Sequence, residues 1–287
     1  MMFLIIILFL LLLVAFLVLI ERNILGLGQK RKGPNLVGFY GLMQTIMDGM
    51  KLLMKNMIFP HNSLSLYFFY GPILGFLLSL IMWFFLPLPF TLINLYYGLI
   101  LILFIGSLNS YSIMWSGWGS YSSYSKIGSL RSVAQMISYE VVLSFFFIIF
   151  LMNKGIYSFS SVLWYNQMFY IFFFFIFFVW IVISLAENNR TPFDLVEGES
   201  ELVGGYNVEY SGSLFTLLFL SEYLVIWVFS FITMVFFFYF SLIIIMLMML
   251  LFIFLRVTLP RYKYYDLIKI CWLIILPFIT FVLIFFL

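Results

Sequence analysis

Five of the chain's 11 acidic residues crowd into "AENNRTPFDLVEGESELVGG" (186–205): Glu187, Asp194, Glu197, Glu199 and Glu201, with Arg190 as their one basic neighbour. In a chain of which only 9% is charged, such a density of carboxylates suits proton handling or contact with a basic partner surface. "RTPFDLVE" reads as the start of a helix. Thr191 is a good N-cap, Pro192 fits the first helical position, and Asp194 falls at N3, facing free amides and the positive end of the dipole. Capping accounts for Asp194. Glu197 and Glu201 then share one face at i,i+4, where like charges repel, and Glu199 turns away. A solvated helix face is the plain alternative for these three; proton transfer is the sharper reading.

Two more carboxylates stand inside apolar runs, Glu140 after "AQMISY" and Glu222 eight residues past Leu214. Burying an ionised carboxylate costs several kcal/mol, so such groups are paired, neutral or in hydrated cavities. Either could serve as a hydrogen-bonding group between helices, but function is the default for an ionisable residue at membrane depth. "GLMQTIMDGMKLLMK" sets Gln44, Asp48, Lys51 and Lys55 on one stripe and Met43, Ile46, Met47, Met50 and Met54 on the other. That pattern predicts an amphipathic helix at the membrane surface. "QKRKGPN" reads as topology-setting charge or headgroup contact, and His61 as an interfacial residue. "WSGWGSYSSYSKIGSLRSVAQ" reads as a loop entering a helix, with Trp115 and Trp118 in the interface belt. Arg131 near that helix start calls for an acid, with Glu187 and the 197–201 group as candidates.

Several chemistries are excluded. One cysteine (Cys271) and one histidine (His61) cannot make a disulfide framework or a Cys/His metal site. "GLGQKRKG" has Gly26 and Gly28, but Arg31 stands where a dinucleotide fingerprint needs its third glycine. Metal, flavin and nicotinamide are therefore not expected on this chain, nor is nucleic acid. It carries no redox centre of its own and is expected to be inactive alone.

The elements that hold these residues follow from composition. Hydrophobic residues make up 66% of the chain and aromatics 23%, with a mean hydropathy of +1.19. Its natural solvent is a bilayer. The 39 Phe and 19 Tyr residues also fit an A+T-rich genome such as an organelle's. We expect an all-α integral membrane protein, a single membrane domain over 1–287, with spans at about 2–20, 64–86, 92–113, 132–152, 163–186, 213–233, 236–256 and 267–287. The stretch 213–255 is far too long for one crossing of a ~30 Å core, so it must turn, near Ser230–Ser241. The first run lacks a basic n-region and a small-residue cleavage site, and reads as a span with its N-terminus outside. Loops 21–63, 114–131, 187–212 and 256–266 then share a side and hold most of the Lys and Arg, among them Arg22, Arg31, Arg256 and Arg261. By the positive-inside rule that side is the cytoplasm or matrix.

Taken together, "ERNILGLGQKRKGPNLVGFYGLMQTIMDGMKLLMK", "WSGWGSYSSYSKIGSLRSVAQMISYEV", "AENNRTPFDLVEGESELVGGYNVEY" and "FLRVTLPRYKYYDLIKICW" resemble membrane subunit 1 of respiratory complex I, the mitochondrially encoded type. The resemblance implies an eight-helix, multi-pass subunit of the mitochondrial inner membrane, with amphipathic helices in its matrix-side loops. It would belong to proton-pumping NADH:ubiquinone oxidoreductase, with ubiquinone as bound substrate. Implied partners are the hydrophilic quinone-module subunits, small neighbouring membrane subunits and membrane lipids. By matching position, Glu21, Arg22, Arg31, Asp48, Arg190 and Arg256 would line or brace the quinone path, which the start of span one and the first-loop helix would border. Glu140, Glu187, Glu197, Glu199, Glu201 and Glu222 would form an acidic proton passage. The chain departs from the family at Asn56, where a Glu is usual; no carboxylate acts there.

Two other readings compete. A secondary transporter would place its ion site on buried acids at mid-membrane, but no inverted repeat is visible and the polar residues lie in loops on one side. A purely structural anchor leaves Glu140 and Glu222 without purpose.

Overall fold

The computed structural model describes residues 2–86, 98–154, 173–194, 205–207, 209–238 and 242–286. Among them there is no strand. The helices are α1 (Met2–Gly28), α2 (Gln44–Met54), α3 (Ser65–Phe84), α4 (Gly98–Gly119), α5 (Ser123–Lys154), α6 (Phe173–Glu187), α7 (Gly212–Phe237) and α8 (Leu242–Thr258). They are followed by α9 (Tyr264–Lys269), which runs through a π turn at Ile270–Ile275 into α10 (Leu276–Phe286). Within the described residues, 6 helical stretches are long and apolar enough to cross a membrane, and Phe175–Glu187 and Ile243–Thr258 are shorter apolar helices.

Several boundaries differ from expectation, each for a local reason. The first helix continues past 20 to Gly28 because "ERNILGL" contains no proline and a helix tolerates the single Gly26, and Lys30 then turns the chain with a φ of 57°. Glu21 and Arg22 are therefore helical residues. Helix α5 starts at Ser123 rather than near 132, since the Ser122 hydroxyl accepts the Ser125 amide at 3.4 Å, an N-cap. Arg131 consequently lies well inside the helix, and Trp115 and Trp118 belong to α4. The long apolar stretch divides after Phe237, and α8 resumes at Leu242.

The expected helix at Thr191 is not there. Residues 191–194 form turns and a bend, and the Thr191–Pro192 peptide is cis. The buried Thr191 hydroxyl caps no amide among the described residues. Asp194 instead faces Arg261, whose Nη2 donates to it at 3.4 Å.

Helix α7 is the hub. Its membrane-length window is the most enclosed of the six, and α2, α3 and α8 pack on it. Helices α3 and α4 approach so closely that a Cβ on Gly119 would lie 2.5 Å from the Phe68 amide nitrogen. Small residues allow such backbone contact where hydrocarbon provides no hydrophobic drive between helices. Phenylalanine fills the opposite end. Phe150 stacks on Phe236 at 4.3 Å and Phe146 on Trp180 at 4.8 Å, a geometry that aromatic quadrupoles favour.

The polar connections meet at one end of the bundle. The Tyr262 amide donates to Pro192 O at 3.0 Å, the Leu64 amide to Gly119 O at 3.0 Å, and the Ile58 amide to Ser211 Oγ at 3.2 Å. Gly212, at φ +62°, opens α7 beside the end of α2, where a Cβ would meet Lys55 O at 2.8 Å.

Candidate functional site

Helix α1 carries Glu21 into the interior, where its side chain is 6% exposed. A carboxylate so placed must be paired. Arg190, from the turn after α6, donates to Oε1 at 3.1 Å. Arg256, in the last turn of α8, donates to the same oxygen. The Tyr223 hydroxyl of α7 donates to Oε2 at 2.5 Å. Four elements thus converge on one carboxylate. The Arg190 guanidinium also lies over the Tyr223 ring, 4.3 Å from its centroid. Burial opposes the Arg190 charge, but Tyr223, Glu21 and Glu222 outweigh it and push its proton affinity up. Arg190 stays a cation. Glu222, on the preceding position of α7, accepts a hydrogen bond from the Tyr206 hydroxyl at 2.6 Å.

Arg22 points away from that cluster. Its Nη1 is 2.5 Å from Asp48 Oδ2, and Gln44 Nε2 donates to the other Asp48 oxygen at 3.0 Å. This pair edges a cleft of about 310 Å³ between α1, α2 and α7. Val14, Val18, Ile46, Leu52, Phe219 and Leu220 line it. An apolar groove with a few polar groups at one edge is the usual form of a site for a largely apolar ligand. The cleft follows the middle of α1, from Leu11 to Arg22, rather than its start. Glu21 faces the ion cluster instead of this groove. The two sites touch through aromatic rings: Phe219 lines the cleft, and its centroid lies 4.5 Å from that of Tyr223.

A third group sits in a separate cavity. Glu140 of α5 and Glu187, the last residue of α6, both line a cavity of about 20 Å³ with Asn109. Ser107 stands beside Glu140. Glu187 is buried, and its Oε2 accepts no hydrogen bond among the described residues. The fully buried Gln135 holds the stem of the following loop by donating to Ala186 O at 2.8 Å and Phe193 O at 3.0 Å.

The structure therefore sorts the candidate residues into groups. Glu21, Arg190 and Arg256 form one cluster with Glu222 alongside. Arg22 and Asp48 form a second, and Glu140 and Glu187 a third. Arg31 is exposed in the turn after α1. Glu197, Glu199 and Glu201 lie outside the described residues.

A family model described as NADH dehydrogenase matches residues 1–287. The chain belongs to that family. NADH-ubiquinone oxidoreductase chain 1 of Emballonura alecto is 43% identical over 282 residues, covering 93% of this chain and 89% of its own. The Balaenoptera physalus protein of the same name is 42% identical over the same length and the same shares. That of Papio hamadryas is 40% identical over 278 residues, 92% of this chain and 87% of its own.

In this NADH dehydrogenase family member, three residues matter that inspection of the sequence passed over. Tyr223 and Tyr206 hold Glu21 and Glu222, and Gln135 fixes the loop stem. Tyr223 had a signal, since "SEYL" sets a phenol next to an intramembrane acid. Gln135 had one too, as an amide at membrane depth needing partners. Tyr206 had none, because its partner is 16 residues away in a different element.

Proposed function

We propose that this chain is the core membrane subunit of proton-pumping NADH:ubiquinone oxidoreductase in the mitochondrial inner membrane. It forms the lower part of the ubiquinone chamber and an acidic passage that couples quinone reduction to proton movement. The observation that carries this reading is the contact between an apolar cleft and a buried ion cluster, through Phe219 and Tyr223. The isoprenoid tail of ubiquinone matches the apolar walls, and Arg22, Asp48 and Gln44 offer hydrogen bonds at the edge.

Turning a quinone into a quinol takes up two electrons and two protons. The electrons come from partner subunits with redox centres, since this chain binds ubiquinone and no flavin, nicotinamide or metal. Its carboxylates handle protons. Glu222 borders the Arg190 cluster, and Glu140 and Glu187 share a separate cavity; Glu197, Glu199 and Glu201 belong to the same relay. Movement in the cleft presses on Phe219 and Tyr223, and so on the charge balance around Glu21. The polar connections gathered at one end of the bundle face the matrix, where the Lys and Arg excess belongs. There they meet the hydrophilic quinone-module subunits, with small membrane subunits and lipids around the helices.

Arg22→Met tests the quinone assignment in the assembled complex. The apparent KM for quinone should rise severalfold, with NADH oxidation by artificial acceptors unchanged. Equal loss of both activities, or no change in KM, overturns the role of Arg22. Co-purification of the chain with flavin and iron–sulfur proteins showing NADH:quinone activity tests the subunit assignment itself.

A further inference from the structure

Two residues past Ala186, within the segment that Gln135 clamps, Asn188 turns its side chain into a different space from its neighbour Glu187. It lines a second cavity, also of about 20 Å³, with Glu21, Arg190 and Arg256 on its polar side and Leu17 and Ile226 among its apolar walls. Asn188 is 8% exposed. Neither its Nδ2 nor its Oδ1 has a hydrogen-bond partner among the described residues. Exchanging the amide oxygen and nitrogen does not help, because both atoms are orphaned. Leaving such groups unsatisfied is costly, and native interiors avoid that cost by enclosing water.

We propose that this cavity is a binding site for one ordered water molecule, which bridges the Asn188 amide to the Glu21–Arg256 ion pair. Room is sufficient: a water needs roughly 10–15 Å³ of such volume and two to four polar partners. The partners are present. Asn188 offers a donor and an acceptor, and Arg256 has further N–H groups. The Glu21 carboxylate has about four lone-pair sites, of which Arg190, Arg256 and Tyr223 use three. Other occupants fit poorly. Two guanidinium groups repel a cation, and about 20 Å³ leaves room for roughly one water. The bridge ties the turn after α6 to α1 and α8, so that the ion cluster and the helix end bearing Glu187 are held as one unit.

The test is a density map of the assembled complex at a resolution that places waters. It should show a peak about 2.7–3.2 Å from the Asn188 amide and within the same range of Glu21 or Arg256. A dry cavity, or an Asn188 amide bonded to another protein group, overturns the proposal. In Asn188→Leu, of similar shape but without polar atoms, the peak should vanish. A water that persists there shows that Asn188 does not anchor it. Should the variant not assemble, the unsubstituted complex decides alone. The result is read from density, so it stands or falls separately from the quinone assignment.

Discussion

Glu21 shows how far a side chain's partners define it. Its carboxylate is held by two arginines and a phenol from three separate elements, so removing one partner leaves charge without compensation. Tyr223→Phe deletes only the hydroxyl. Hydrogen bonds to charged groups contribute roughly 1.5–3 kcal/mol, which is small beside the packing of α7. The variant complex should assemble at normal levels with quinone reductase activity lowered severalfold, measured against NADH oxidation by artificial acceptors. Unchanged quinone kinetics would show that the cluster tolerates loss of its phenol. Glu140 shares its cavity with Glu187. Glu140→Gln keeps the shape and hydrogen-bonding capacity but carries no proton. Coupled quinone reduction should fall strongly, while Glu140→Asp retains part of it. A Gln variant with normal turnover and normal pumping removes Glu140 from the passage.

Helix length and helix approach decide where those side chains sit. Because α1 continues through Gly28, positions 21 and 22 are consecutive on a helix and diverge by about 100°. One points to the ion cluster and the other to the cleft. Helices α3 and α4 meet at Gly119, where a Cβ would strike the Phe68 backbone. Backbone cannot swing aside as a side-chain tip can. Gly119→Val should therefore separate these helices and cost at least the 1–3 kcal/mol typical of overpacking. The readout is the amount of assembled complex on a native gel, and a normal yield would contradict the contact. The amphipathic α2 and the break between α7 and α8 were legible in the sequence, one from its stripe and the other from bilayer thickness. The helix expected at Thr191 was not found, although cap residue, proline and acid stood in the right order. Local capping preferences amount to about 1 kcal/mol, and the tertiary contacts of this segment outweigh them: the Gln135 bonds, the Tyr262–Pro192 bond and Arg261 on Asp194.

At the scale of the molecule, the connections after α1, α2, α6 and α8 converge, so their charges act together. Asp194 and Arg261 are in contact, which places the turn after α6 and the last basic loop on one face. Cysteine labelling at positions 31 and 261, both exposed, should occur from the same side of sealed membrane vesicles. Labelling from opposite sides would defeat the topology.

The sequence by itself determined the solvent, the helical class, the family and most of the residues worth testing. Hydropathy and the rarity of charge are properties of the chain alone, and each isolated acid in oil demands an explanation. Tertiary structure decided the grouping. Glu21 and Arg256 are 235 positions apart, and Glu21 and Tyr223 are 202 apart. No spacing rule reaches that far, because such pairs exist only once helices from both ends of the chain pack around α7. The apolar cleft is likewise a property of three helices together: each of its walls reads, alone, as an ordinary greasy face.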